Sequence, residues 1–176
     1  MLNFDLNKML YTIRPQEHDK ETVTKLLRTH PEVKFVSLTG VDLGNHNTDE
    51  KIPVNTFIDD MEKTLASGVQ TDGSSVALPL SNARVDIVPD MDVNWYVEYN
   101  WSNIDYTTGL PVGTLRIPSF LKHNDENYVG SRAFLKRSIK RFGEELENIV
   151  RANPYVMEYI GGVDSPDDIE KLYLTN

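Results

Sequence analysis

Thr71-Asp72-Gly73-Ser74-Ser75 is the stretch on which the reading of this chain turns. Asp-Gly suits backbone conformations that most residues resist, so it marks a tight loop. The two serines add hydroxyls that bond either the local backbone or a ligand. Upstream, Phe57, Met61 and Leu65 recur every fourth residue with Ile58 beside them, which predicts a helix from Asn55 or Thr56 through Ala66. Gly68 is its natural stop. Downstream, Arg84-Val85-Asp86-Ile87-Val88-Pro89-Asp90 reads as a strand ending in a turn. A helix, a sharp polar loop and a strand with no room for a crossover argue against a doubly wound parallel sheet.

Further out, Asp19 to Thr29 reads as a short helix stopped at His30-Pro31, because the residue before proline leaves the α region. Val33 to Leu43 is a strand, followed by a polar turn at Gly44–Asp49 and a second strand at Lys51-Ile52-Pro53-Val54, together a hairpin. Asn94 to Asn100 and Thr114 to Lys122 are strands joined through Gly109-Leu110-Pro111-Val112-Gly113. Four or five strands around one principal helix make an α+β pattern. Ser131 to Ala152 is a long amphipathic helix with Phe134, Leu135, Phe142, Leu146, Ile149 and Val150 near one stripe. Ser165-Pro166-Asp167-Asp168 has the form of a helix start.

The chain has 176 residues, 39% of them hydrophobic, enough for one core. Its net charge of −9 supplies no basic footprint, which argues against nucleic acid or an anionic membrane as partner. It has no cysteine, so disulfide, thiolate and zinc-thiolate chemistry are excluded. No window approaches the roughly 20 apolar residues of a membrane span. The start, Met1-Leu2-Asn3-Phe4-Asp5, lacks the pattern of a signal peptide, so the expected location is cytoplasmic.

The order Val36-Ser37-Leu38-Thr39-Gly40-Val41-Asp42-Leu43-Gly44, Lys51-Ile52-Pro53, helix, Asp72-Gly73-Ser74-Ser75, Pro89-Asp90 resembles the N-terminal domain of the glutamine synthetase family. The resemblance runs over about residues 33–150, and Gly130-Ser131-Arg132 and Leu135-Lys136-Arg137 are similar to the start of that family's next helix. It implies a β-grasp fold, a small sheet curled around one helix. The expected layout is a helical extension at 1–30, the β-grasp at 31–125 and the helical start of a catalytic domain at 126–176. It also implies ATP-dependent amide formation, in which ammonia attacks an acyl phosphate of glutamate. By that match Asp72 is the catalytic, ammonium-binding carboxylate, capturing ammonium by charge and removing a proton. Ser75 is the supporting substrate-binding hydroxyl.

The same resemblance implies that this loop completes the active site in the catalytic domain of a neighbouring subunit, within a homo-oligomeric ring. ATP and Mg2+ (or Mn2+) would be bound by that further domain. Neither a phosphate loop nor a convincing His/Glu metal cluster occurs in this sequence, so no cofactor or metal is expected on the chain itself. The expectation is an N-terminal piece of a longer ligase, inactive alone.

Several residues depart from the family pattern. Thr71 stands where an aromatic is usual, and Asn82-Ala83-Arg84 where Glu-Ser-Asp is usual, so Arg84 reverses a charge close to the site. Asp86, two residues on, shares its side of the strand and is either a compensation or plain surface. These departures leave open a larger amine, such as a polyamine, as acceptor; separately, because the β-grasp is a frequent protein-interaction scaffold, a free-standing non-catalytic interaction module is an alternative.

Simpler roles stand beside each assignment. Asp72 also fits an ordinary Asp-Gly turn, and Ser75 a backbone-bonded turn serine. The histidines at 18, 30, 46 and 123 sit among polar or turn residues and are read as surface. Trp95, Tyr96, Tyr99 and Trp101 are read as core and subunit-interface packing rather than a base-stacking platform. Lys136, Arg137, Lys140 and Arg141, followed by Glu144, Glu145 and Glu147, read as a salt-bridged wet face.

Overall fold

The structure, a computed structural model, describes residues 6–42, 46–72, 84–123 and 128–152, without the side chains at 72, 84, 128, 129 and 150. Gly73-Ser74-Ser75, Asn82-Ala83, Gly44-Asn45 of the polar turn and the Ser165–Asp168 helix start lie outside the described residues. Two compact units divide the chain, Met1–Ser131 and Arg132–Asn176.

The elements are β1 (Thr12–Ile13), α1 (Lys20–Thr29), β2 (Val33–Val41), β3 (Asn47–Pro53), α2 (Val54–Asp59), α3 (Met61–Ser67), β4 (Val69–Asp72), β5 (Arg84–Pro89), β6 (Trp95–Ile104), β7 (Pro111–His123), β8 (Tyr128–Val129) and α4 (Ser131–Ala152). Among the described residues the strands form one sheet with the order β1-β6-β7-β2-β3; β5 joins β7, β4 pairs with β5, and β8 pairs with β7. At its centre β2 and β7 run parallel, Val36 beside Leu115 and Leu38 beside Ile117. The other pairings are antiparallel. This is the expected α+β, β-grasp-like architecture.

Alternation along β2 and β7 sends Val36, Leu38, Leu115, Ile117 and Leu121 to one face, where they meet Trp95, Val85 and Ile87 of neighbouring strands. Phe57, Ile58 and Met61 of α2 and α3, with Val23 and Leu27 of α1, close that face into a core. Asp19 caps α1, its Oδ1 accepting the Thr22 N–H at 2.9 Å. The hydrogen bond also holds the Asp19 carboxyl below its ordinary range.

The single helix expected over 55–66 is two, bent at Asp60, whose φ of −101° and ψ of 14° depart from the helical values. Helical hydrogen bonds persist on both sides, Asp60 N–H to Thr56 O and Thr64 N–H to Asp60 O. The short strands β1, β4 and β8 were not anticipated, and they bring the expected four or five strands to eight among the described residues. Pro118 sits within β7 yet breaks no ladder: pairing with β6 reaches only Arg116 and pairing with β5 begins at Ser119.

The helix expected over 131–152 is present, with Ala133 buried and Phe134, Leu135, Phe142 and Ile149 exposed. Glu147 accepts from Arg151 Nε at 2.8 Å, one turn on.

Candidate functional site at the β4–β5 end of the sheet

Gly68 ends α3 with a φ of +73°, and a Cβ there would lie 2.2 Å from the Ile87 carbonyl oxygen. Only glycine permits so close an approach of the helix end to β5. The chain then enters β4 at once and pairs with β5: Val69 with Ile87, Gln70 with Asp86, Thr71 with Val85, and Asp72 with Arg84. Asp72 is therefore the last paired residue of a β4–β5 hairpin, at the mouth of the connection that carries Ser75. It belongs to a strand end, not to a loop following Gly68 directly.

Arg84 is the register partner of Asp72. Asp86 shares its side of β5, one repeat further along, and pairs across to Lys122 of β7. Asp86 is only 3% exposed, which corrects the plain-surface alternative. Both Asp86 and Lys122 are engaged by neighbours. The Pro89-Asp90 motif does local structural work. Asp90 Oδ1 accepts the Asp92 N–H at 3.1 Å, and the Asp90 carbonyl accepts Trp95 Nε1–H at 3.2 Å. Together these bonds fix the turn from β5 into β6.

A second polar constellation crosses four strands on the sheet face away from the core. Arg116 Nε donates to Glu98 at 2.7 Å, while Nη1 donates to Asp49 at 2.7 Å and Ser37 Oγ at 2.8 Å. Ser37 in turn donates to Asp49 at 3.0 Å. Burial raises the Asp49 carboxyl, but the hydrogen bonds from Ser37 and Arg116 outweigh it and the net shift is downward. With its fork held by two carboxylates, Arg116 joins strands.

The histidines divide. His18 is 5% exposed, correcting its reading as surface. Its ring stacks on Trp95, centroids 3.7 Å apart and planes 13° off parallel. Nδ1 faces the Met91 carbonyl at 3.1 Å and Nε2 the Ile13 carbonyl at 3.3 Å. His30 is half-buried and faces Glu32 at 3.1 Å. The Tyr99 hydroxyl donates to the Leu10 carbonyl at 2.8 Å, and its pKa is raised by burial and by the nearby Glu32. Trp95 and Tyr99 pack in or against the core, whereas Tyr96 and Trp101 are exposed.

Among the described residues no three His, Asp or Glu side chains converge as a metal-ligand set. A cleft of about 370 Å³ lies between Leu27 and Arg28 of α1, Val33 and Lys34 of β2, and Val54 and Ile58 of α2. It belongs to the opposite part of the sheet from Asp72, and Lys34 there is held by Asp105 at 2.9 Å. None of the described helices is long and apolar enough to cross a membrane.

No family model matches the chain, and no curated protein matches it. Among solved structures, the fold is similar to that of Plasmodium falciparum glutamine synthetase, at 18% identity and a TM-score of 0.52 over 72% of this chain and 23% of that one. GmaS without ligand matches at 12% identity and a TM-score of 0.49 over 72% of this chain and 26% of that one. A GmaS complex with ADP matches at 12% identity and a TM-score of 0.48 over 69% and 25%. This chain thus spans about a quarter of the length of the structures it matches. At such identities the likeness is one of fold, and the fold is glutamine synthetase-like.

Proposed function

We propose that this chain is the amino-terminal domain of a glutamine synthetase-like, ATP-dependent glutamate–ammonia ligase. Its part is to supply the β4–β5 connection that completes the ammonium site in the catalytic domain of a neighbouring subunit. The observation that carries the reading is the placement of Asp72 at the strand end that leads into the β4–β5 connection, on a sheet whose fold is glutamine synthetase-like. An anionic group held at a strand end can lie within reach of a second polypeptide. There it would attract ammonium and accept a proton as the amine becomes nucleophilic.

In this reading ATP and Mg2+ or Mn2+ belong to the catalytic domain, the complete protein is a homo-oligomeric ring in the cytoplasm, and residues 1–176 alone make no glutamine. The test is an assay of glutamine formation and ATP hydrolysis on the protein from its complete reading frame, beside the 176-residue chain. Activity confined to the longer protein supports the proposal. A reading frame that stops at Asn176, or clear turnover by the 176 residues alone, overturns it.

One observation favours a second reading. Arg84 is the register partner of Asp72 and supplies a cation where the resembling family carries an acid. A cation beside the carboxylate competes with ammonium. That favours a different amine acceptor, or a β-grasp module that has lost catalysis. Parallel assays with ammonia and with putrescine separate these from the first reading.

A further inference from the structure

The β2–β3 hairpin holds an anomaly of its own. Asp42 is 1% exposed, and among the described residues its Oδ2 is a buried side-chain oxygen with no hydrogen-bond partner. Buried carboxylate oxygens are nearly always satisfied, and an orphan points to a group that completes it. Nδ1 of His46 lies 3.4 Å from it, on a side chain that is 74% exposed.

Two further hydrogen bonds fix this pair. Asp42 N–H donates to the His46 carbonyl at 3.1 Å, and Asp42 Oδ1 accepts the His46 N–H at 2.9 Å. The hairpin is therefore clamped so that one carboxylate oxygen and one imidazole nitrogen face each other across 3.4 Å. Two ligands at about 2.1 Å from a tetrahedral zinc ion stand about 3.4 Å apart. Carboxylate oxygen and neutral imidazole are both zinc donors, and one side of the pair is open to water.

We propose that Asp42 Oδ2 and His46 Nδ1 form a two-donor site for a borderline divalent metal ion of the zinc class, its remaining positions filled by water. The ion gives the orphan oxygen its partner and ties β2 to β3. Ligation through Nδ1 leaves the proton on Nε2, on a side chain that is 74% exposed. With two protein donors the ion exchanges readily, so this is a site of reversible occupancy. It is independent of the ligase reading and stands or falls separately from it.

The experiment is a titration of the whole chain with zinc chloride at pH 7.5, followed through the ring NMR signals of all four histidines. His46 signals are expected to shift saturably, with a lone Nε2–H tautomer at the end point, while His18, His30 and His123 stay in place. Asp42→Asn, which keeps an oxygen to accept the His46 N–H, weakens apparent affinity by about tenfold or more. His46→Gln, at an exposed position, removes the saturable response, and His46→Cys restores it. If His46 signals do not respond at millimolar zinc, the pair is a plain acid–histidine contact and the proposal is overturned. Unchanged affinity in Asp42→Asn overturns it equally, since the binding is then that of a lone surface histidine. Should Asp42→Asn unfold, the His46→Gln and His46→Cys pair decides alone.

Discussion

Asp72 and Arg84 are register partners, the last pair of the β4–β5 ladder before the chain leaves the described sheet. If Asp72 serves ammonium as proposed, an arginine at its register position would oppose ammonium capture. In the complete protein, Arg84→Asp is expected to lower KM for ammonium by about tenfold. That corresponds to about 1.4 kcal/mol, the scale of one charge reversal near a partly screened site. Steady-state kinetics in ammonium at saturating glutamate and ATP check this; a KM that stays put or rises places Arg84 outside the site.

Gly68 is a point of low tolerance. Its φ of +73° strains any L side chain, and an added Cβ would meet the backbone oxygen of Ile87 at 2.2 Å, an atom with nowhere to retreat. Gly68→Ala is expected to cost about 3 kcal/mol or more in urea unfolding. A loss under about 1 kcal/mol would mean that α3 and β5 do not meet as described.

Burial is the largest influence on His18 and pushes its pKa below the ordinary 6.5. The Ile13 and Met91 carbonyls and the charges of Glu17 and Asp90 pull the other way without prevailing. The unfolded chain therefore binds the proton more readily than the folded one, so this residue's contribution is present above pH 6.5 and is lost as pH falls below it. Stability measured by urea unfolding should decline as pH falls below that value, and His18→Gln should flatten the decline. An equal slope in the variant would show that another group carries it.

The reach of sequence reasoning follows from length and periodicity. The α4 pattern spans 22 residues and its bounds were legible, as was the Asp19-capped α1. The four residues of β4 offer too short a run to show alternation, and β1 has only two. Both exist because β5 and β6 supply their partners, which is tertiary information. The bend at Asp60 leaves the spacing of Phe57, Met61 and Leu65 intact, so the apolar pattern cannot reveal it. At the candidate site the sequence marked Asp72, Arg84 and Asp86, and the structure supplied their register. His18 was missed because Glu17 and Asp19 beside it read as surface; what buries it is Trp95, distant in sequence. Asp42 read as the end of a strand and His46 as a turn residue, since an unsatisfied buried oxygen leaves no trace in a sequence.

The proposed role of the Asp72 carboxylate is to serve ammonium in a site built with a neighbouring subunit. It is tested most directly by measuring KM for ammonium and for glutamate in the complete protein carrying Asp72→Asn. Loss of the charge, with shape kept, should raise the ammonium KM or lower kcat by about a hundredfold, within the range for loss of a positioned general base, while KM for glutamate stays near that of the unsubstituted protein. Ammonium kinetics unchanged in that variant would rule this role out.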